Sequence, residues 1–427
     1  MTQLFKLFKS HCAKSMALLI EIIIVTIIGW MVVQPVAVKT SLSLEPSGYD
    51  YDRLVSVNFQ DFDMNSEERD TTDTPKEVCN RALLDMIKQL PEVESATYSS
   101  YQLFESSSSS ISSITVDSAY NLDDDNKYVR AYFVSYMPGT DFFTTFGIKT
   151  PGGEAFVEPE YEEGTYVVSD ILAKSRYADG KAMGRMAFPG SEYSDASGKI
   201  TGIVKDASYS KNRARCAIIY APIKPDQMWK TSGITIRLKP DANPRVFTDN
   251  LTADLGRYRA GNRYLTHPQL YSDMQEEMFA DEQRELSKGW VVLLFFLANV
   301  ILGVSGTFYI QTRSRASDAG VMRAYGATRL NIQWGIIGEA FLTVLIGWAV
   351  GSLIYLAYLH FGDVAFENDV DKIQQILNPK WYDSSWPRNT VVGILVLLLL
   401  LISTFIGAWM PARKITRISP VDALRDE

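Results

Sequence analysis

Four long apolar runs set the terms for this chain. They lie at about residues 15–38, 290–310, 332–358 and 391–410. Each reaches the ~20 residues that a helix rising 1.5 Å per residue needs to cross the hydrocarbon core of a bilayer. Lipid offers no hydrogen-bonding partner, so each run must satisfy its own backbone, which it does as a helix. Polar residues are segregated accordingly: residues 39–289 form one long insert after the first run, whereas 311–331 and 359–390 are short connections. An average of 46% hydrophobic residues and a net charge of −8 conceal this division.

The placement of Lys and Arg beside the runs sets an orientation. Lys6, Lys9 and Lys14 precede the first run, Arg313, Arg315, Arg323 and Arg329 separate the second from the third, and Arg413, Lys414, Arg417 and Arg425 follow the fourth. The connection between the third and fourth is acidic instead, with Asp363, Glu367, Asp369, Asp371 and Asp383 against Lys372, Lys380 and Arg388. A multi-pass protein is expected, with both termini and the 311–331 loop cytoplasmic. A cleaved signal peptide is the competing reading of the first run. That run is long for a signal core, contains Glu21 and lacks a clear A-x-A site, so an uncleaved anchor is expected and the insert is tethered at both ends.

Within the insert the pattern is mixed. "YDRLVSVNFQ" (51–60) alternates as a strand, and "TPKEVCNRALLDMIKQL" (74–90) reads as a helix with Thr74 as N-cap and Pro75 at the first helical position. "VESATYSSYQL" and "KYVRAYFVSYM" read as strands on either side of "ESSSSSISS", a solvated loop. From Gly139 the texture changes to short β signals with Gly and Pro turns, ending in "GKITGIVKDASYSKNRARCAIIYAPI". "GITIRLKP" and "DANPRVFTDNLTADLGRYR" then repeat the first strand and helix in type, and "YSDMQEEMFADEQRELSKG" leads helically into the second run. The expected fold is α+β. Residues 1–38 hold the N-terminal flank and first span, and 39–288 an extracytoplasmic α/β domain. That domain has chain-separated halves at about 50–138 and 232–280, with a β-rich subdomain at about 139–225 inserted between them. Residues 289–427 hold the other three spans, the 311–331 loop and the tail. Cys79 and Cys216 both fall in the insert; separate buried thiols are expected, since nothing in their spacing fixes a disulfide geometry.

The sequence lacks the usual signs of catalysis. Gly198 and Lys199 are followed by Ile200, with Tyr193 where a phosphate-binding loop would need its first glycine. His11, His267 and His360 are isolated from one another and from the cysteines, and there is no G-x-S-x-G elbow. The carboxylates of "NLDDDNK" and "EPEYEEG" read as solvated loops. We therefore expect no catalytic residue, metal site or bound cofactor in this chain, and no nucleic-acid partner. Glu21 and Glu339 lie inside spans, where a charge is costly enough to be a functional candidate. The plainer reading places each near the cytoplasmic interface or hydrogen-bonded within the bundle. Gly303, Gly306, Gly347 and Gly351 are placed for close helix contact, at a dimer face or within the chain.

The loop "SRASDAGVMRAYGAT" (314–328) and the tail "PARKITRISPVDALRDE" carry a resemblance. The first resembles the short cytoplasmic helix E-I-G-I-x-R-A-L-G-A-[ST] that precedes the third span in MacB/FtsX-like permeases of ABC transporters. Gly320, Arg323, Ala324, Gly326, Ala327 and Thr328 match it, as does Glu339 beyond. The tail resembles the family's closing P-A-R-x-A-[AS]-x-[LI]-x-P-[VI]-[ED]-A-L-R. Asp318 and Ala319 stand where Glu and Ile are usual, and Tyr325 stands for Leu. "LPEVESATYSSY", "DFFTTFGIKTPGGEAF" and "ITGIVKDASYSKNRARCAIIYAP" look more loosely like landmarks of a MacB-type periplasmic domain, with Gly153-Glu154 for Gly-Arg.

The resemblance implies a non-catalytic permease subunit of the bacterial inner membrane, dimeric with a second copy or a paralogue, and driven by a separate ATPase that binds ATP and Mg. A periplasmic adaptor or outer-membrane factor and membrane lipid are further implied partners. Asp318, Gly320, Val321, Met322, Arg323, Tyr325, Gly326 and Thr328 would couple to the ATPase. The implied function is mechanotransmission in efflux. Extraction of lipoprotein or lipid, and regulation of a wall hydrolase, are alternatives within the family, and a ligand-sensing receptor is one outside it.

Overall fold

The computed structural model describes residues 16–63, 74–101, 103–104, 110–115, 129–177, 181–190, 197–209, 215–310, 322–323, 325–361, 380–382 and 384–417. These fall into two units: a membrane unit from 16–40, 281–361 and 384–417, and an α/β unit from 41–280 and 380–382.

Helix α1 (Met16–Ser43) comes first among the described residues. In the α/β unit, β1 (Leu54–Asp61), α2 (Lys76–Lys88) and β2 (Val93–Ser100) come first. A long excursion follows through β3 (Ser110–Thr115), β4 (Val129–Tyr136), α3 (Phe142–Phe146), β5 (Thr165–Ser169), α4 (Asp170–Arg176), β6 (Met186–Gly190) and β7 (Gly198–Val204). It continues through β8 (Ala207–Ser208), β9 (Arg215–Cys216) and β10 (Ile218–Pro222) before the chain returns with β11 (Thr231–Leu238), α5 (Pro244–Ala253), β12 (Arg259–Ala260) and β13 (Arg263–Leu270).

Two sheets result. An antiparallel sheet has the order β12-β13-β1-β11-β2, and β10-β4-β3-β6-β7-β5 close into a barrel. Alternation along β1 explains its two faces. Val55, Val57 and Phe59 pack on Leu83, Leu84 and Ile87 of α2 and on Phe247 and Leu251 of α5. Leu54 points the other way, into the aromatic cluster of Tyr132, Tyr136, Phe142, Phe143, Phe146 and Tyr220. Asn243 caps α5, its Oδ1 accepting from the N–H groups of Arg245 (3.0 Å) and Val246 (3.3 Å).

Three sequence expectations shift. The strand at Val129–Tyr136 pairs with β10 and β3, so the barrel excursion begins after Ser100 and the boundary set at 139 is too late. Periodicity identifies a strand but not its partner, and the change of texture at Gly139 marks a turn with φ +72° rather than a domain boundary. Ser110, Ser112 and Ser113, read as loop, lie in β3, because the β4 ladder satisfies their backbone. Pro75, not Thr74, is the N-cap of α2. Cys79 and Cys216 are free and buried.

Helices α6 (Tyr271–Ile310), α7 (Arg329–Phe361) and α8 (Ser385–Arg417) follow among the described residues. With α1 they are long and apolar enough to cross a membrane. The leader read before the second run is continuous with it in α6, a helix of 40 residues. Glycines set the crossings. A Cβ at Gly347 would come within 2.7 Å of Ile22, and one at Gly351 within 2.9 Å of the Ile23 carbonyl, so α7 meets α1 at backbone distance. The pair therefore serves packing within the chain. Gly407 meets the Ile301 carbonyl in the same way, and Ser305 Oγ donates to the Gly407 carbonyl at 2.8 Å. Trp30 Nε1 donates to Ser352 Oγ at 3.0 Å and its ring stacks on Tyr355, 5.3 Å between centroids.

The segment following α1 is fastened to the α/β unit. Ser208 N–H donates to the Ser47 carbonyl (2.7 Å) and Asp50 N–H to the Phe146 carbonyl (3.0 Å). Asp50 also pairs with the buried Arg237 at 2.5 Å, whose Nη1 donates to the Thr145 carbonyl. Between them Gly48 has φ +87°, and an added Cβ would lie 2.2 Å from the Asp206 carbonyl. Gly48→Ala therefore faces both backbone strain and a backbone clash. We expect it to destabilise the α/β unit by at least about 2 kcal/mol, read as a lowered thermal midpoint in near-ultraviolet dichroism.

Candidate functional site

The loop singled out by the sequence ends in a tight corner. Met322 and Arg323 form helical turn, Gly326 N–H donates to the Arg323 carbonyl (3.0 Å), and Ala327 N–H donates to the Met322 carbonyl (3.0 Å). This pair of bonds, with Gly326 at φ +92°, is a Schellman motif: glycine adopts the left-handed conformation that closes a helix. A Cβ at Gly326 would touch nothing within 4 Å, so the requirement is one of backbone alone. Thr328 then starts α7, its Oγ1 accepting from Asn331 N–H at 3.2 Å. "YGAT" thus stops one helix and starts the next within four residues.

The corner presents side chains outward. Tyr325 is 89% exposed and Met322 is 44% exposed, while Arg323 is partly buried. Asp318, Gly320 and Val321 lie outside the described residues. Near the ends of α6 and α8, Lys414 Nζ sits 4.7 Å from the centre of the Tyr309 ring.

The intramembrane candidates separate. Glu21 lies against the backbone of Gly303, where a Cβ would come within 2.4 Å of its Oε2, so glycine there makes room for the carboxyl of α1. Glu339 is buried in α7, and Thr343 Oγ1 donates to its carbonyl at 3.1 Å. Gly306 meets no neighbour within 4 Å.

In the α/β unit, one carboxylate read as solvated is not. Glu158 is half-buried and accepts from Gly139 N–H at 2.9 Å, fixing the turn after β4. Burial pushes its pKa up, and Asp141 adds to this against the Gly139 bond. Asp206 accepts from Ile171 N–H at 2.6 Å and is likewise pushed up by burial. An open groove of about 670 Å³ crosses the sheet, bordered by Ser56, Asn58, Ser99, Gln269, Met274 and Glu277. Among the described residues, no group of three His, Cys, Asp or Glu side chains is placed to hold a metal.

Residues 290–420 match the family model for the FtsX-like permease C-terminal domain. The chain is 22% identical over 298 residues to the macrolide export ATP-binding/permease protein MacB of Chromobacterium violaceum, covering 68% of this chain and 42% of that protein. It is 24% identical over 305 residues to the MacB of Neisseria gonorrhoeae, covering 68% and 43%. The chain thus spans less than half the length of these relatives. The periplasmic region of MacB from Actinobacillus actinomycetemcomitans aligns at 16% identity with a TM-score of 0.32, over 56% of this chain and 97% of that one.

Two outcomes follow. Gly326→Ala forces a side chain into the left-handed region and should cost about 1 kcal/mol, seen as faster amide exchange across 325–331 with α7 otherwise unchanged. A carboxyl whose folded pKa lies above its unfolded value contributes stability that is full below the unfolded value and lost as pH rises through the folded one. The melting temperature of the α/β unit should therefore fall as pH rises out of the acidic range. Combining Glu158→Gln with Asp206→Asn should flatten that dependence.

Proposed function

We propose that this chain, a MacB/FtsX-like permease with an FtsX-like C-terminal domain at 290–420, is the non-catalytic transmembrane subunit of an ABC transporter working as a dimer. In this reading a separate ATPase, which binds ATP and Mg, docks on the corner at 322–328. Its closure is converted into movement of an extracytoplasmic α/β unit, while both termini stay cytoplasmic. The observation that carries the reading is the corner itself. A helix end locked by Gly326 and butted against the Thr328 cap of α7 cannot be pushed without moving α7. Arg323 and the exposed Met322 and Tyr325 supply a charged and apolar contact for a partner groove.

Movement then reaches the α/β unit along three covalent routes. These are α6, which begins at Tyr271 in that unit, the segment after α1, and the 380–382 stretch before α8. Tyr271 is a firm attachment: its hydroxyl lies 3.2 Å from Thr235 Oγ1, itself 2.7 Å from Ser99 Oγ, and its ring packs edge-on against Phe146. The reading is one of mechanical export, with cargo handled outside the bundle. The groove across the sheet is where such cargo would meet the moving unit.

Co-purification from native membranes in detergent tests this. A Walker-motif ATPase should be recovered with the native chain and lost with Arg323→Glu. Gly326→Pro, which cannot adopt φ +92° or donate to Arg323, should keep the chain inserted but lower stimulated ATPase activity at least about tenfold, or ~1.4 kcal/mol of coupling. Unchanged stimulation in both variants would remove the corner from the mechanism.

A further inference from the structure

We propose that Glu45 is a positioning residue that latches the start of α8 onto the segment leaving α1, so that the α/β unit acts on the fourth span as well as the first and second. The proposal rests on the transport reading above and adds a specific residue to it.

Glu45 lies two residues beyond the end of α1, and Tyr382 three residues before the start of α8. The two are 337 residues apart in sequence, yet the Tyr382 hydroxyl donates to Glu45 Oε1 at 2.5 Å. Lys380 Nζ approaches the same oxygen at 3.3 Å. A hydroxyl donating to a carboxylate at this distance is a charge-assisted bond, stronger than a bond between neutral groups. Burial makes it more than a surface pair: Tyr382 is 2% exposed, and the Glu45 side chain is 19% exposed. An exposed Lys–Glu pair alone would hold little, whereas removing one partner of a largely buried bond leaves the other poorly solvated.

Glu45 is itself held on both sides. Its N–H donates to the carbonyl of Leu42, which is buried at the end of α1. Beyond it, Arg215 Nε donates to the Pro46 carbonyl, and the bonds of Ser47 and Asp50 fasten the backbone to β8 and to α3. A displacement of this segment is therefore delivered through Glu45 and Tyr382 to a chain that becomes α8 within three residues.

The test uses the full chain in lipid nanodiscs, alone and with its co-purified ATPase. It compares Glu45→Lys, Tyr382→Phe and the charge swap of Glu45→Lys with Lys380→Glu. Amide exchange is followed in the peptide covering 380–386, alongside ATPase stimulation and recovery of the complex. We expect Glu45→Lys to raise exchange there about tenfold and to lower stimulation several-fold while the complex is still recovered. The swap rebuilds the ion pair but leaves Tyr382 without its carboxylate acceptor, so it should rescue both readouts in part, and Tyr382→Phe should give an intermediate effect. Exchange unchanged in Glu45→Lys would overturn the latch. Exchange raised with stimulation intact would overturn its part in transmission. Should Glu45→Lys fail to fold, Glu45→Gln keeps an acceptor for Tyr382 and must give the intermediate result or the proposal falls. A native complex with no ATP response would instead overturn the transport reading, and the exchange result would still decide the latch.

Discussion

Backbone in a bilayer must satisfy its own hydrogen bonds, and everything else in this chain is arranged around that constraint. Four segments answer it as helices, and the glycines at 347, 351 and 407 bring α7 to α1 and α8 to α6 at backbone distance. Close approach of this kind supplies the packing that hydrophobic burial cannot supply in lipid. Polar side chains add direction: Trp30 to Ser352, Tyr355 to Gln34 at 3.3 Å, and Trp348 Nε1 to the Gly393 carbonyl at 3.1 Å. Within the membrane unit, the corner at 322–328 lies outside the apolar helices, between the end of α6 and the start of α7 in sequence.

The corner and the segment after α1 are built by rules of different kinds. At the corner, a left-handed glycine and a threonine cap turn the chain by local hydrogen bonds. Around Ser47 to Asp50 the fastening is tertiary, made by Arg237, the Ser208 N–H and the α3 backbone. Under the proposed function such a division would suit a transmitter: a corner closed by local bonds would take the push of a partner, and a segment gripped at several points would pass a displacement on to the α/β unit.

The same division explains how much was legible in the sequence. The spans were readable because apolar length is a local property. The roles of Gly326 and Thr328 at the corner were also within reach, since glycine followed by a capping residue is a stop-and-start signal. Pairing was not readable. Residues 129–136 announce a strand but not that β10 and β3 flank it, so the barrel was begun too late. The serines of β3 look solvated until the β4 ladder is known. Glu158 sits in an acidic stretch that reads as surface, and only the approach of the Gly139 N–H makes it structural. Glu45 and Tyr382 carry no local mark, because the contact that gives them meaning spans most of the chain.

The central claim is that nucleotide state at the ATPase moves the α/β unit through the membrane helices. Pulsed electron paramagnetic resonance would measure this directly, with spin labels at the exposed positions Arg257 in the α/β unit and Glu285 in α6, in the complex with its ATPase in nanodiscs. The distance distribution should shift when a non-hydrolysable ATP analogue with Mg is added, and should stay put when Gly326→Pro breaks the corner. A native complex whose distribution is identical with and without the nucleotide would contradict mechanical transmission.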